Sequence, residues 1–141
     1  TRAMFVQVLY ALEGSPSVSG LSCPLTDAGG SWYTDAVIWA YNAGVAAGVS
    51  ATEFAPNEPL TREQMVTMLY GYASRSEQLT GDAGALSPYQ DQVNVSAWAR
   101  EAMVWAVSAS IVCGTSPTTL SPQKTGTRAE VATVVMGFCE Q

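Results

Sequence analysis

The chain has no histidine, few charged residues and only three cysteines, and each shortage narrows the chemistry it can perform. Charged residues make up 13% of the 141 positions. Without histidine, the chain lacks the usual general base and the commonest metal ligand in proteins. We therefore expect no catalytic site, no metal and no cofactor, and an enzyme is the least favoured class of function.

The cysteines and the acidic residues offer little further chemistry. Cys23, Cys113 and Cys139 form no CxxC pair, and an odd number of cysteines cannot pair completely within one chain. We expect buried, inert thiols, with a Cys113–Cys139 disulfide as the alternative. Asp35 and Glu101 could act together as glycosidase carboxylates, but their matched positions favour a role at helix starts.

Positive charge is also scarce. Six Lys and Arg residues stand against 12 Asp and Glu residues, which gives a net charge of −6 and a pI near 4.3. Such a balance disfavours binding to nucleic acid or to an anionic membrane surface. The longest apolar stretch falls well short of the ~20 residues that a membrane-spanning helix needs. An acidic chain of this kind could bind an anionic polymer only at local basic positions.

A tetrapeptide that begins with Thr-Arg occurs three times, each time ahead of an apolar run with helical spacing. The copies are residues 1–4 (TRAM), 61–64 (TREQ) and 127–130 (TRAE). A Thr followed three residues later by Gln or Glu is a capping box, which the second and third copies fit. The first copy, with Met4 in that position, keeps the threonine cap and loses the return hydrogen bond. We predict a helix after each of the three threonines.

The arginine in each tetrapeptide occupies an unfavourable position. A cation in the first turn opposes the positive end of the helix dipole at a cost of roughly 0.3–1 kcal/mol. Because this occurs at Arg2, Arg62 and Arg128, each arginine should have a partner. The partner is either a repeat-specific Asp or an anionic ligand, and both can hold because a guanidinium has donors to spare.

A shift of 66 residues superposes the second copy on the third, and the first copy has only its second half. The shift pairs Trp32 with Trp98, Trp39 with Trp105, Gly48 with Gly114, and Pro56 with Pro122. A repeated unit of this length is the first feature to establish in such a chain. We treat residues 1–141 as a single domain that contains residues 1–14 (half of repeat one), 24–75 (repeat two) and 88–141 (repeat three).

Each full repeat is predicted to contain a first helix, a loop and a second helix. The first helices should span about residues 31–43 and 96–109, with Ser31 and Ser96 as N-caps. Asp35 and Glu101 would then lie in the first turns, where the helix dipole favours them. The apolar stripe of each second helix cannot be covered by one repeat alone, so neighbouring copies should pack on each other.

The order of these features resembles the S-layer homology (SLH) module of bacterial surface proteins. In repeat two the matching residues are Asp27, Trp32, Ala40, Gly44, Gly48, Phe54, Pro56, Thr61, Arg62 and Glu63. In repeat three they are Asp91, Trp98, Ala106, Gly114, Leu120, Pro122, Thr127, Arg128, Ala129 and Glu130. The resemblance covers nearly the whole chain and combines a motif, an order and a period.

The resemblance implies a fold and a role. The fold is all-α, with tandem helix-loop-helix repeats that form a pseudo-threefold helical bundle. The role is non-covalent anchoring of a secreted protein to the bacterial cell wall, at the wall or S-layer outside the cell. The implied partner is an anionic, commonly pyruvylated, secondary polymer linked to peptidoglycan. The alternative is an assembly module that dimerises or is completed by a helix from another chain, because repeat one lacks its first half.

The expected polymer contacts come from the repeated motif. Arg62 and Arg128 are the leading candidates, with Asp27 and Asp91 as their orienting partners and the helix N-terminal amides as further donors. Lys124 adds a positive charge beside Arg128, which favours a groove there.

Three further residues complete the predicted site. Arg2 is the counterpart of Arg62 in the half-repeat. Trp32 and Trp98 lie at helix starts, where they could line a groove and stack on sugar rings. The other tryptophans, Trp39 and Trp105, lie in mid-helix and are expected in the core.

Overall fold

Helices account for the regular structure of the chain. The computed structural model describes residues 1–75, 78–82 and 84–139, so the last two residues of repeat three lie outside the described part. Its α-helices are α1 (Arg2–Leu12), α2 (Thr34–Asn42), α3 (Arg62–Ala73), α4 (Arg100–Ser108) and α5 (Arg128–Cys139). Three short 3-10 helices span Thr26–Ala28, Gln92–Asn94 and Ala97–Ala99. The described residues contain isolated β-bridges only, and the all-α prediction is confirmed.

The three helices that follow a threonine begin where the sequence predicts. At α3, the Gln64 amide donates to Thr61 Oγ1 at 3.2 Å, and Gln64 Oε1 accepts from the Thr61 amide at 3.0 Å. At α1, the Met4 amide donates to Thr1 Oγ1 at 3.2 Å. The return bond is also present, because the Thr1 ammonium donates to Met4 Sδ at 4.0 Å. The prediction that this copy loses it is wrong, since a thioether sulfur also accepts. Threonine caps therefore fix these helix starts, as expected.

The first helices of the full repeats begin three or four residues later than predicted. Tyr33 and Ala99 precede α2 and α4, and neither makes a side-chain cap. The Ser31 amide donates to Thr34 Oγ1 at 2.9 Å, and the Ser96 hydroxyl donates to a glutamate of α3. The predicted serine caps are wrong, because both serines bond elsewhere. Acidic residues do occupy the first turns of α2 and α4, as expected.

The chain divides into two compact units, Thr1–Pro59 (unit 1) and Leu60–Gln141 (unit 2). In unit 1, α1 packs on α2, and the rings of Tyr10 and Trp39 lie 5.6 Å apart. The core side chains around this contact are Phe5, Val6, Leu9, Val37, Ala40 and Phe54. Full burial of a large aliphatic or aromatic side chain stabilises a fold by about 1.5–3 kcal/mol, so this contact holds α1 in place.

Unit 2 repeats that arrangement and adds a third helix. Here α3 packs on α4, and the rings of Tyr70 and Trp105 lie 5.7 Å apart. Phe138 of α5 lies 6.4 Å from the Trp105 ring and 6.0 Å from the Tyr72 ring. The core side chains are Met65, Val66, Leu69, Leu86, Met103, Ala106 and Leu120. The prediction that the two mid-helix tryptophans are buried is confirmed.

Each unit joins the second helix of one repeat to the first helix and loop of the next. The boundary at Pro59 and Leu60 therefore lies inside the sequence repeat 24–75, between its loop and its second helix. This arrangement agrees with the expectation that the apolar stripe of each second helix packs on a neighbouring repeat.

The described residues contain free cysteines, no metal-ligand cluster and no helix that could span a membrane. The cysteines are free, and Cys113 and Cys139 are exposed while Cys23 is partly buried. The expected burial is therefore wrong for two of them, and the alternative disulfide is not formed. No cluster of metal-ligating side chains occurs in the described ranges. Within the same ranges, every helix is too short or too polar to cross a bilayer.

Candidate functional site

The arginine of α1 is buried against the loop of the following repeat. Arg2 Nε donates to the Phe54 carbonyl at 2.9 Å, and Nη2 donates to the Ala47 carbonyl at 3.0 Å. The guanidinium carbon also lies 4.7 Å from the centre of the Phe54 ring, a cation–π geometry. Burial lowers the pKa of Arg2, and the Asp27 carboxylate partly offsets that change.

The arginine of α3 makes the same two contacts one repeat further along. Arg62 Nε donates to the Leu120 carbonyl at 2.9 Å, and Nη2 donates to the Cys113 carbonyl at 2.7 Å. These acceptors are the counterparts of Phe54 and Ala47 at the shift of 66. Unlike Arg2, Arg62 also donates from Nη1 to Glu130 Oε2 at 2.5 Å.

The first amides of α1 and α3 are also bonded by the following loop. The amides of Arg2 and Ala3 donate to the carbonyls of Glu58 and Pro56 at 3.0 and 2.9 Å. In unit 2, the amides of Arg62 and Glu63 donate to the carbonyls of Lys124 and Pro122, both at 2.9 Å. The partners of the arginines are thus carbonyl oxygens, whose partial negative charge offsets the dipole cost. The N-terminal amides of these two helices are occupied and do not serve as free donors to an anion.

The two repeat-specific aspartates fix these loops. Asp27 accepts from the amides of Phe54 and Ala55, each at 2.8 Å. Asp91 accepts from the equivalent amides of the next repeat, at 2.8 and 2.9 Å. Desolvation alone would raise the pKa of both carboxyls, but the amide hydrogen bonds outweigh it and leave each pKa below its usual range.

The predicted pairing of each aspartate with the arginine of its own repeat is wrong. Asp27 was expected to orient Arg62, and Asp91 to orient Arg128. In the structure, Asp27 holds the loop that receives Arg2, and Asp91 holds the loop that receives Arg62. The reason is that each second helix packs on the following repeat and not on its own. The aspartates act through the loop backbone, with no direct hydrogen bond to a guanidinium in the described part of the chain.

Unit 2 contains a groove of about 560 Å³ between the loop of repeat three and α5. Its charged lining residues are Arg62, Lys124 and Glu130. The Lys124 side chain is 55% exposed, and its Nζ lies 3.9 Å from Glu130 Oε1. The groove is therefore lined by two cations and one carboxylate, of which Lys124 is the most exposed and Arg62 is largely buried. Lys124 and Arg62 are the two predicted site residues that the structure brings together.

Glu130 is the charged residue of the groove that sequence reasoning treated only as a helix cap. Its amide does donate to Thr127 Oγ1 at 3.1 Å, as a capped helix requires. Desolvation acts to raise the pKa of Glu130, but the hydrogen bond and charge of Arg62, with help from Lys124, hold it below the usual range. A sequence signal was present, since this copy of the tetrapeptide has an acid where the second copy has the neutral Gln64.

Arg128 does not line this groove. It is exposed at the start of α5, and it makes no hydrogen bond or ion pair within the described ranges. Its surroundings differ from those of Arg2 and Arg62, because no loop carbonyl among the described residues accepts from its guanidinium. The groove therefore lies beside Lys124 and Arg62, and not around Arg128 as expected.

The two tryptophans predicted at a groove are exposed. Trp32 is 62% exposed and Trp98 is 59% exposed, and they are equivalent at the shift of 66. The Trp32 ring packs edge-on against Tyr33, with ring centres 5.1 Å apart. Neither tryptophan lines the groove of unit 2.

A sequence profile decides the family. The profile of the S-layer homology domain matches residues 24–66 and 88–132. The chain belongs to the SLH family. Each match includes a loop-fixing aspartate and the start of a Thr-Arg helix.

Relatives with SLH similarity are surface proteins and polysaccharide-degrading enzymes. The chain is 36% identical over 107 residues to the Surface-layer 125 kDa protein of Lysinibacillus sphaericus. It is 30% identical over 113 residues to Exoglucanase XynX of Acetivibrio thermocellus, and 30% identical over 138 residues to an Endoglucanase of a Bacillus species (strain KSM-635). These alignments cover 74%, 79% and 96% of the chain but only 9%, 10% and 14% of the relatives.

The family sets a general role for such a module. SLH domains occur in S-layer proteins and cell-surface enzymes, where they are non-catalytic and generally anchor the protein at the cell wall. The groove in unit 2 has the charged lining that binding to a wall polymer would use.

Proposed function

We propose that this chain anchors a secreted protein to the cell wall by binding an anionic, pyruvylated secondary wall polymer in the groove of unit 2. The observation that carries the proposal is the placement of Lys124 and Arg62 together in that groove. The whole chain has a net charge of −6, so an anionic polymer needs such a local basic position.

The chemistry of the groove suits a carboxylate or a phosphate. Lys124 provides a mobile ammonium with three donors, and Arg62 provides a guanidinium that its loop contacts hold in one orientation. A pre-oriented donor loses little entropy when a ligand binds. A polymer carboxylate between the two cations would therefore gain charge-assisted hydrogen bonds on both sides.

The other predicted site residues have supporting roles in this proposal. Asp27 and Asp91 hold the loops, and Arg2 holds α1 on its loop, so these three act on the shape of the units. Trp98 and Arg128 are exposed in unit 2 and are proposed as outer contacts for the sugar chain, since aromatic faces pack on sugar rings and the Arg128 guanidinium has no partner among the described residues. Trp32 is proposed as a sugar contact on unit 1.

The test is co-sedimentation with purified wall sacculi before and after removal of the secondary polymer. The wild-type chain should sediment only with polymer-bearing sacculi, and Lys124→Ala should weaken binding about tenfold, as the loss of one charge-assisted contact predicts. Arg100→Gln is the matched control, because Arg100 is an exposed cation that bonds Gln92 outside this groove. Binding that survives removal of the polymer, or that ignores Lys124→Ala, would exclude the mechanism.

A second candidate function, assembly with a further chain, is supported by exposed apolar residues of α5, two of which, Ala129 and Met136, also line the groove of unit 2. Ala129, Ala132 and Met136 are exposed, and Met136 is 62% exposed. At the equivalent positions of α1, Ala3, Val6 and Tyr10 are buried against the following repeat. The exposed apolar face of α5 thus resembles the corresponding faces of α1 and α3, which the following half-repeat covers.

We expect the cover to be a helix and loop from a second copy, because the surface that covers α1 and α3 comes from this same sequence. The sedimentation equilibrium mass at high concentration should then exceed that of the monomer. Met136→Glu should return it to the monomer value, and Val93→Glu, at another exposed apolar residue, should leave it unchanged. A monomeric mass for the wild-type chain would exclude this function.

A further inference from the structure

We infer that Glu130 is an internal counter-anion of the groove, which competes with an anionic ligand for Arg62 and Lys124 and so limits the affinity of the site. This inference rests on the proposed anchoring function. It assigns to one residue the control of how tightly the same groove binds its ligand.

The hydrogen bonds of Arg62 leave one nitrogen for a ligand, and Glu130 holds it. Nε and Nη2 of Arg62 are bonded to loop carbonyls. Nη1 is bonded to Glu130 Oε2, while Glu130 Oε1 faces Lys124 Nζ at 3.9 Å. One carboxylate therefore lies between the two cations of the groove, where a ligand carboxylate would bind.

The negative charge of Glu130 is not needed to cap the helix. At α3, the neutral Gln64 completes the capping box with Thr61 through both hydrogen bonds. A glutamine at position 130 could cap Thr127 in the same way. Capping alone therefore does not account for the acid in this copy.

The charge is not needed to seat the arginine either. In unit 1, Arg2 makes the same pair of carbonyl contacts as Arg62, and no carboxylate bonds it within the described residues. Two comparisons inside the chain thus separate the charge of Glu130 from its structural roles. What remains is its effect on the net charge of the groove, which falls from two positive charges to one.

A ligand anion that enters the groove meets this carboxylate at close range. Like charges brought together at a binding site are a recognised source of rejection, and the side chain of Glu130 is only 22% exposed, so solvent screens it incompletely. The ligand must either displace Glu130 from Arg62 or bind beside it. Both routes weaken binding relative to a neutral residue at this position.

The experiment compares Glu130→Gln with the wild-type chain in the sacculus assay. The variant keeps the size of the side chain and the backbone amide that donates to Thr127 Oγ1, and we expect its affinity for polymer-bearing sacculi to rise about tenfold. The matched control is Glu101→Gln, which removes one negative charge from an exposed position of unit 2 outside the groove. Its affinity should change less than about twofold, because exposed charges beyond a Debye length are largely screened.

A second measurement separates competition from a general gain in stability. Because Glu130→Gln loses the ion pair with Arg62, its melting temperature without polymer should fall by a few degrees while its affinity rises. Circular dichroism checks that the variant is folded.

The outcomes distinguish this inference from the function on which it rests. If the wild-type chain binds and Glu130→Gln binds equally or more weakly, the competition is excluded and anchoring stands. If only the variant binds, the competition is supported, and the groove of the wild-type chain is too weak to anchor by itself. If neither binds polymer-bearing sacculi, both proposals fail.

Discussion

At the scale of single residues, the arginine of the repeated motif occupies two different environments at its three positions. Arg2 and Arg62 are each 6% exposed and bonded to loop carbonyls. Arg128 has the same sequence context but lies exposed on α5. The contacts of Arg2 and Arg62 are buried and charge-assisted. The main role of the Thr-Arg motif is therefore to join a helix to the next repeat. Ligand binding is added to that role only where a donor still faces a groove.

The three arginines should therefore differ in their effect on stability. Arg62→Ala removes three hydrogen bonds and takes the guanidinium away from two carbonyls and from Glu130 Oε2, so the free energy of unfolding should fall by roughly 2–4 kcal/mol. Arg2→Ala should have a similar effect. Arg128→Ala should stay within about 0.5 kcal/mol of the wild-type value, as exposed positions usually do. Urea denaturation measures all three, and equal losses would contradict the assignment.

The loop aspartates predict a loss of stability in acid. The folded-state pKa of Asp91 is lowered by the amides of Leu120 and Ser121 despite an opposing desolvation effect. A lowered pKa means that the stabilisation is fully present above the ordinary aspartate value of about 3.9 and is lost as the pH falls through the folded-state value. The denaturation midpoint of the wild-type chain should therefore decrease between about pH 5 and pH 2.

A matched pair of variants checks the source of that decrease. Asp91→Asn should be less stable than the wild-type chain at pH 7, and the difference should shrink towards pH 2. Asp35→Asn, at an exposed position in the first turn of α2, should keep most of the acid dependence. A difference for Asp91→Asn that is independent of pH would indicate a packing effect instead of titration.

At the scale of elements, the loops are shaped by two glycines that allow close backbone approach. A Cβ at Gly114 would overlap the carbonyl oxygens of Thr119 and Ser116, and a Cβ at Gly48 would overlap those of Glu53 and Ser50. The residues that follow them, 49–53 and 115–119, contain no further glycine. One glycine per loop thus allows the close backbone contacts of the loop whose carbonyls accept from the arginine.

Gly114→Ala should accordingly destabilise unit 2. The overlap is with backbone atoms, which cannot rotate away, so the free energy of unfolding should fall by roughly 1–3 kcal/mol or more. Gly84→Ala is the control, because its Cβ would come no closer than 3.6 Å to a side-chain oxygen. Thermal unfolding of the two variants compares them directly, and equal melting temperatures would show that the loop can relax.

The sequence predicted elements better than it predicted contacts. The helix starts at Thr1, Thr61 and Thr127 follow from local capping chemistry, and they are correct. The later start of α4 could not be read locally, because the hydroxyl of Ser96 bonds the buried Glu63, 33 residues away. Local patterns specify local hydrogen bonds, and they leave long-range partners open.

For the candidate site, too, the residues could be predicted from the sequence, but their long-range partners could not. Arg62 and Lys124 were identified from the repeated motif and from local charge. The carbonyl partners of Arg62 lie 51 and 58 residues away in the chain, and a backbone carbonyl carries no mark in the sequence. The role of Glu130 was missed for the same reason, because its contact with Arg62 spans 68 residues.

At the scale of the whole molecule, the repeat seen in the sequence differs from the unit that folds. Unit 2 takes α3 from repeat two and combines it with repeat three, and unit 1 combines α1 with the first helix and loop of repeat two. A boundary drawn at the sequence repeats would separate Tyr70 from Trp105 and Arg62 from its carbonyl acceptors.

Fragments cut at the boundary of a folded unit should therefore fold better than fragments cut at the boundary of a sequence repeat. Residues 60–141 retain α3 with α4 and α5, and should give a helical circular dichroism spectrum and a cooperative urea transition. Residues 88–141 lack α3, which leaves the Trp105 face and the carbonyls of Cys113 and Leu120 unpaired, so this fragment should be largely unfolded. The loss of a packed helix exceeds the marginal stability of a small domain.

Fragments 1–59 and 24–75 provide a control of nearly equal length. The first contains α1, α2 and the loop that receives Arg2, whereas the second contains the complete sequence repeat with α3 in place of α1. Because the chain lengths are close, a difference in size does not explain a difference in folding. Fragment 1–59 should unfold at a higher urea concentration than fragment 24–75. A more stable 24–75 would mean that the second helix can fold back on its own repeat, and the interleaved description of the chain would then be wrong.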